Sequence, residues 1–94
     1  MLLQLVQFES ALSENEVLKV VDDRIDAYRA IPSLVQKFYL KSPQANHWGG
    51  AMLWENAEAM AAFRESELGQ TIGPAYGVRG APNVSVHEVL FPLR

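Results

Sequence analysis

The chain has 94 residues, of which 49% are hydrophobic and 20% charged, the composition of a folded domain and not of a disordered tail. Its net charge is −3, and its eight lysines and arginines are scattered from Lys19 to Arg94, so no cationic stripe offers phosphates a track and nucleic acid is not an expected partner. The absence of cysteine excludes disulfides, thiolate nucleophiles, iron–sulfur clusters and Cys-based zinc sites; for so small a domain it makes a reducing cytoplasm the expected location.

Met1-Leu2-Leu3-Gln4-Leu5 is apolar but has no basic flank, and Glu9 follows quickly, so residues 2–8 read as a strand and not as a signal peptide. No apolar run approaches the ~20 residues a membrane-spanning helix needs. Ser13-Glu14-Asn15-Glu16 fits a capping box. The helix it opens places Val17, Val20, Val21, Ile25 and Tyr28 on one face and Lys19, Asp22, Asp23 and Asp26 on the other, and Pro32 stops it near Ala30. The acidic cluster on that polar face reads as solvated surface.

Leu34–Lys41 is the second expected strand, with Leu34, Gln36, Phe38 and Leu40 on one face and Val35, Lys37, Tyr39 and Lys41 on the other. A hairpin over 42–47 returns the chain antiparallel through a third strand at 48–55. Asn56 is placed to cap a second helix running through Met60 and Phe63 to Glu67, closed by a left-handed Gly69. Residues 70–83, rich in Gly and Pro, read as a loop with room for one helical turn, and 84–91 as the fourth strand.

This order of elements is β-α-β-β-α-β, which predicts an α+β fold: one four-stranded antiparallel sheet with two helices on one face, in a single domain spanning 1–94. Both faces of the strands offer apolar residues, and a second copy covering the helix-free face is the simplest way to bury them, so a homodimer is expected.

Few residues are placed to carry chemistry. Trp48, Gly50, Met52 and Trp54 alternate onto one face of the third strand, where they form either the wall of an apolar pocket or a packed core with a glycine making room for a helix. His47, at the entrance to that strand, is a candidate base, with Asn46 beside it as a donor to an oxyanion; the competing reading is a solvent-exposed hairpin. Tyr39 and Tyr76 are candidate donors to a bound oxygen, or packing residues. His87 reads as a structural residue. The two histidines lack helical metal spacing and no carboxylate completes a motif, so no metal is assigned. The loop glycines match neither the Rossmann nor the P-loop pattern, so no nucleotide cofactor is expected.

The run from Gly49 to Phe63 (GGAMLWENAEAMAAF) resembles the strand-into-helix pattern of the dimeric α/β-barrel superfamily, and Pro74-Ala75-Tyr76-Gly77-Val78-Arg79-Gly80-Ala81-Pro82 is similar to its YdhR-type monooxygenases. With the strand–helix opening, the resemblance covers nearly the whole chain. It implies a ferredoxin-like protomer whose sheet packs against its twin's, with a pocket in each. Relatives in the antibiotic-biosynthesis-monooxygenase group oxidise phenolic or polyketide-derived aromatics with dioxygen and no cofactor. On that scaffold Trp48, Trp54, Met52 and Phe38 would supply walls, Tyr76 a further contact, His47 the base, and Asn46 or Tyr39 the donor. A small apolar molecule and dioxygen are then the expected partners. A non-catalytic binding or stress-related protein, or an isomerase or lyase, would use the same scaffold.

Overall fold

The computed structural model describes residues 1–94. In chain order the elements are β1 (Leu2–Ser10), α1 (Glu14–Arg29), β2 (Leu34–Lys41), β3 (His47–Trp54), α2 (Ala57–Glu65), α3 (Glu67–Gln70), α4 (Ile72–Tyr76) and β4 (Val78–Glu88). The strands form one antiparallel sheet in the order β2-β3-β1-β4, with the helices on one face, which is the ferredoxin-like arrangement the sequence implies. No helix is long and apolar enough to cross a membrane.

Local chemistry sets most boundaries. The Ser13 hydroxyl accepts from the Glu16 amide at 3.3 Å while the Glu16 carboxylate accepts from the Ser13 amide at 3.0 Å, closing the capping box. The Asn56 side chain caps α2 by accepting from the Ala59 amide at 2.9 Å. That helix stops earlier than expected. Ser66 is extended, ends α2, and starts α3 by accepting from the Gly69 amide at 3.1 Å. Gly69 is therefore not a left-handed cap; it is glycine because a Cβ there would run into the Phe63 carbonyl. The left-handed cap is Gly77, φ 55°, which turns the chain from α4 into β4.

The fourth strand departs most from expectation, beginning at Val78 and ending at Glu88, so that 78–83 are strand and Phe91 lies outside it. A register irregularity opposite Gln7 and Glu9 and a positive φ of 68° at Gly80 absorb the glycine. Pro82 is tolerated because β4 is a sheet edge, where a missing N–H removes no necessary ladder bond.

A second irregularity, in β2 between Leu34 and Gln36, changes which residues share a face. Leu34 pairs with Trp54, Lys37 with Met52, Tyr39 with Gly50 and Lys41 with Trp48, all on the helix-covered side. The expected grouping of Leu34 with Gln36, Phe38 and Leu40 is thereby broken, because one extra residue flips a period-two strand.

Under the helices lie two apolar clusters. Tyr28, Met52, Trp54, Met60 and Phe63 form one; Phe8, Val17 and Tyr76 form the other. Trp54 is wholly buried, and its indole N–H donates to Gln4 Oε1 at 2.9 Å, so this interior polar pair is satisfied. Buried Ser10 donates to the Tyr76 carbonyl at 2.6 Å and ties the end of β1 to α4.

Candidate functional site

Between the two clusters the packing leaves a cavity of about 200 Å³, roofed by α1 through Val17, Leu18 and Val21 and floored by β2 and β3. Val6 and Ile72 touch both clusters and line the cavity, so it is the seam where the two halves of the core fail to meet. The adjacent glycines on β3 differ in what their surroundings require. A Cβ on Gly49 would collide with the Val6 carbonyl, and one on Gly50 would come within 3.6 Å of Lys37 Cε. At Gly50 that is ordinary van der Waals contact. At the rim, Lys41 Nζ pairs with Glu14 Oε1 at 2.9 Å, a solvated contact contributing ~0–1 kcal/mol.

The distinctive group is Lys37. Its Nζ lies 3.3 Å from the ring centroid of Tyr28 and 4.6 Å from that of Tyr39, and none of the chain's four ion pairs includes it. Burial among apolar and aromatic groups, with the positive Arg24 nearby as a smaller cause, pulls the ammonium down from the usual 10.5 to about 7. The ring faces of two tyrosines partly offset that penalty. Arg24 itself meets only neutral oxygens, donating to Thr71 Oγ1 at 3.1 Å and the Leu68 carbonyl at 2.6 Å. Its buried Nε has no partner, and neither does the Tyr28 hydroxyl. Burial pushes the Tyr28 and Tyr39 hydroxyls up and Tyr76 to about 12, so all three stay protonated and able to donate at neutral pH. A second hollow, of about 440 Å³, lies on the far side of the same Tyr28, Lys37 and Tyr39.

The residues singled out from sequence divide between this cavity and other places. Tyr39, Trp48, Met52 and Tyr76 line it. Tyr76 also stacks on Phe8 at 5.4 Å. The indole N–H of Trp48 is buried without a partner. Trp54 is core, packed on Phe63 at 5.1 Å and outside the cavity lining. Phe38, 58% exposed, pairs with Ala51 on the helix-free face. Asn46 adopts a positive φ of 64° to turn the β2–β3 hairpin, and its carbonyl accepts from the Ser10 amide. His47 pairs with Glu9 in the register of the helix-free face, and its Nδ1 donates to the Ala45 carbonyl at 2.8 Å. Neither Asn46 nor His47 touches the cavity. His87 sits on exposed β4, 3.2 Å from Ser85 Oγ. Lys37 was legible only as one polar member of an alternating strand; its company with Tyr39 and Lys41 was the available signal. No cluster of three or more His, Asp or Glu stands ready for a metal.

An apolar chamber holding a partly neutral amine and the phenols of Tyr39 and Tyr76 can take a flat small molecule, remove a proton from it, and donate to the oxygen that becomes negative. No family model and no curated protein matches the chain. Solved structures do. An antibiotic biosynthesis monooxygenase superposes with a TM-score of 0.78 at 16% identity, over 96% of this chain and 99% of that one. SnoaB, a cofactor-independent oxygenase from Streptomyces nogalater, gives 0.78 at 12% identity, over 98% and 95%. A Nitrosomonas europaea protein of unknown function gives 0.78 at 14% identity, over 97% and 90%. The chain has the fold of this wider group; nothing in these likenesses singles out the narrower YdhR type.

Proposed function

We propose that the chain is a cofactor-independent monooxygenase acting on a small aromatic bearing an ionisable hydroxyl. One observation carries the reading: an unpaired lysine amine, depressed to about 7, set in an apolar cavity on a fold shared with a cofactor-independent oxygenase. The neutral amine of Lys37 takes the hydroxyl proton. The electron-rich ring of the resulting anion donates to dioxygen, and a carbon–oxygen bond forms to give a peroxide that the ammonium protonates. Loss of the ring proton and cleavage of the oxygen–oxygen bond then release a quinone and hydroxide, which the remaining proton converts to water. One oxygen atom enters the product and one leaves as water, and the substrate supplies all four electrons. The surrounding residues exclude water and donate to the anion.

The alternative site for the base is His47, and substitution separates the two. Oxygen uptake with electron-rich hydroxyarenes is expected to fall at least a hundredfold in Lys37→Met, the scale of a lost general base, and to persist in His47→Ala. The reverse result would return the base to the hairpin. Product formed without dioxygen would identify an isomerase or lyase, and binding with neither uptake nor product would leave a carrier. We place the protein in the cytoplasm and expect it to work as a homodimer.

A further inference from the structure

We infer that Lys37 is also a nucleophile: from its place between two hollows, its amine condenses with the carbonyl carbon of a small neutral aldehyde or ketone seated in the cavity, forming an imine and releasing water. The inference goes beyond the oxygenase reading. It needs the same amine and the same chamber, but neither dioxygen nor an ionisable hydroxyl on the ligand.

Geometry comes first. Lys37 lines the apolar cavity on one side and the second hollow on the other. Its Nζ has no ion pair and, unlike Arg24 Nε, the Tyr28 hydroxyl and Trp48 Nε1, is not sealed from its surroundings, so a carbonyl carbon can reach it. The other two lysines are placed differently. Lys19 pairs with Asp23 on the exposed face of α1, and Lys41, at the cavity rim, pairs with Glu14 at 2.9 Å. The titratable groups beside Lys37 are Tyr28 and Arg24 from α1 and Tyr39 from β2; Tyr76 of α4 shares the cavity, and Arg29 lines the second hollow. Glu14 is the single carboxylate in the cavity lining, and Lys41 occupies it.

Burial and the positive Arg24 bring the amine to about 7, so roughly half of it is neutral at pH 7, the form that attacks carbon. The product suits the site. An imine is a weaker base than an amine, so condensation replaces a costly buried cation with a neutral group. Apolar walls that limit water favour a reaction that expels it. Tyr39, its ring centroid 4.6 Å from Nζ, can carry the protons. Its phenol gives one to the carbonyl oxygen as the carbon–nitrogen bond forms, and recovers one from the nitrogen. A second exchange of the same kind releases the oxygen as water and leaves the carbon–nitrogen double bond. The apolar lining, with a carboxylate at its rim, selects a neutral carbonyl compound over an anionic one, and a volume of about 200 Å³ admits one ring bearing that carbonyl.

The probe is benzaldehyde with sodium cyanoborohydride, which reduces an imine to a stable secondary amine, applied to the purified chain at pH 7 under nitrogen. Intact mass and peptide mapping then locate the benzyl group, with the Met1 amine, which needs no cavity, as the internal rate standard. Lys37 is expected to take the label at least ~100-fold faster than Lys19 or Lys41, because an ordinary lysine is neutral only about once in 2,500 at that pH. In urea, where the cavity is lost, this preference should vanish. Lys37→Met and Lys37→Arg, both checked for folding by circular dichroism, should lose the cavity label. Equal labelling of the three lysines in the folded wild type, or a preference for Lys37 that survives urea, overturns the inference. A labelled Lys37 in a chain that consumes no oxygen with any electron-rich hydroxyarene overturns the oxygenase reading alone. Oxygen uptake without a Lys37 label overturns the carbonyl site alone.

Discussion

Lys37 is where chemistry and stability oppose each other. Its amine is depressed in the folded state from 10.5 to about 7, so folding disfavours the ammonium. The sign follows from proton counting. Between those two values the unfolded chain binds more protons than the folded one, so stability rises with pH across the window, and the full penalty stands below pH 7. A shift of this size corresponds to about 5 kcal/mol at most, and residual water contact reduces it. Lys37→Met is therefore expected to raise unfolding free energy at pH 6 by roughly 2–4 kcal/mol, with a smaller gain at pH 9, measured by urea denaturation. Equal gains at both values would mean that the lysine is charged throughout. Under the proposed mechanism, turnover is expected to climb with pH through about 7 as the amine loses its proton.

At the scale of elements, small residues decide where helices end and how closely strands approach. Gly69 and Gly73 lie four residues apart in the short helices after α2, and composition alone treats them alike. Their surroundings differ. A Cβ on Gly69 strikes the Phe63 carbonyl, whereas one on Gly73 meets nothing within 4 Å. Gly69→Ala should cost about 2 kcal/mol through forced backbone movement. Gly73→Ala should be neutral or stabilise by about 0.5 kcal/mol. Thermal melts of the two variants compare them directly. Ser13→Ala opens the capping box of α1 and is expected to cost about 1 kcal/mol; because α1 roofs the cavity, ligand binding should weaken with it. An unchanged melting temperature would show that α1 is held by packing alone.

For the whole molecule the open question is the helix-free face of the sheet. Phe38, 58% exposed, shares it with half-buried Leu3, Leu5 and Leu53, among polar neighbours such as Gln7 and Ser85. Covering that surface with a second copy would remove apolar area from water at about 25 cal/mol per Å², a useful supplement for a 94-residue chain whose own core is small. Sedimentation at micromolar concentration should therefore give twice the 10.5 kDa mass, and Phe38→Glu should return it to one copy. A well-folded monomer that persists on concentration would exclude the dimer. The cavity lies on the other side of the sheet from this face, so the proposed chemistry and the proposed association can be tested separately.

Hydrophobic periodicity and capping chemistry, both local, were enough to establish the order of elements, the Ser13 capping box, the Asn56 cap and the bounds of β2. Periodicity also set Trp48 and Met52 on one face of the third strand, and both line the cavity. What lay beyond local reading was everything that depends on a distant partner. Gly69 is required by the Phe63 carbonyl, β4 starts early because β1 supplies its ladder, and one irregularity in β2 sends Phe38 to the far face. Trp54 is core because Tyr28, Met60 and Phe63 close over it, and Gln4, fifty residues away, satisfies its indole, whereas Trp48 lines the cavity. Lys37 acquired its unusual amine in the same way: a strand sequence specifies its alternation, but only the helix laid across it by the tertiary fold removes the water that would have kept the charge ordinary.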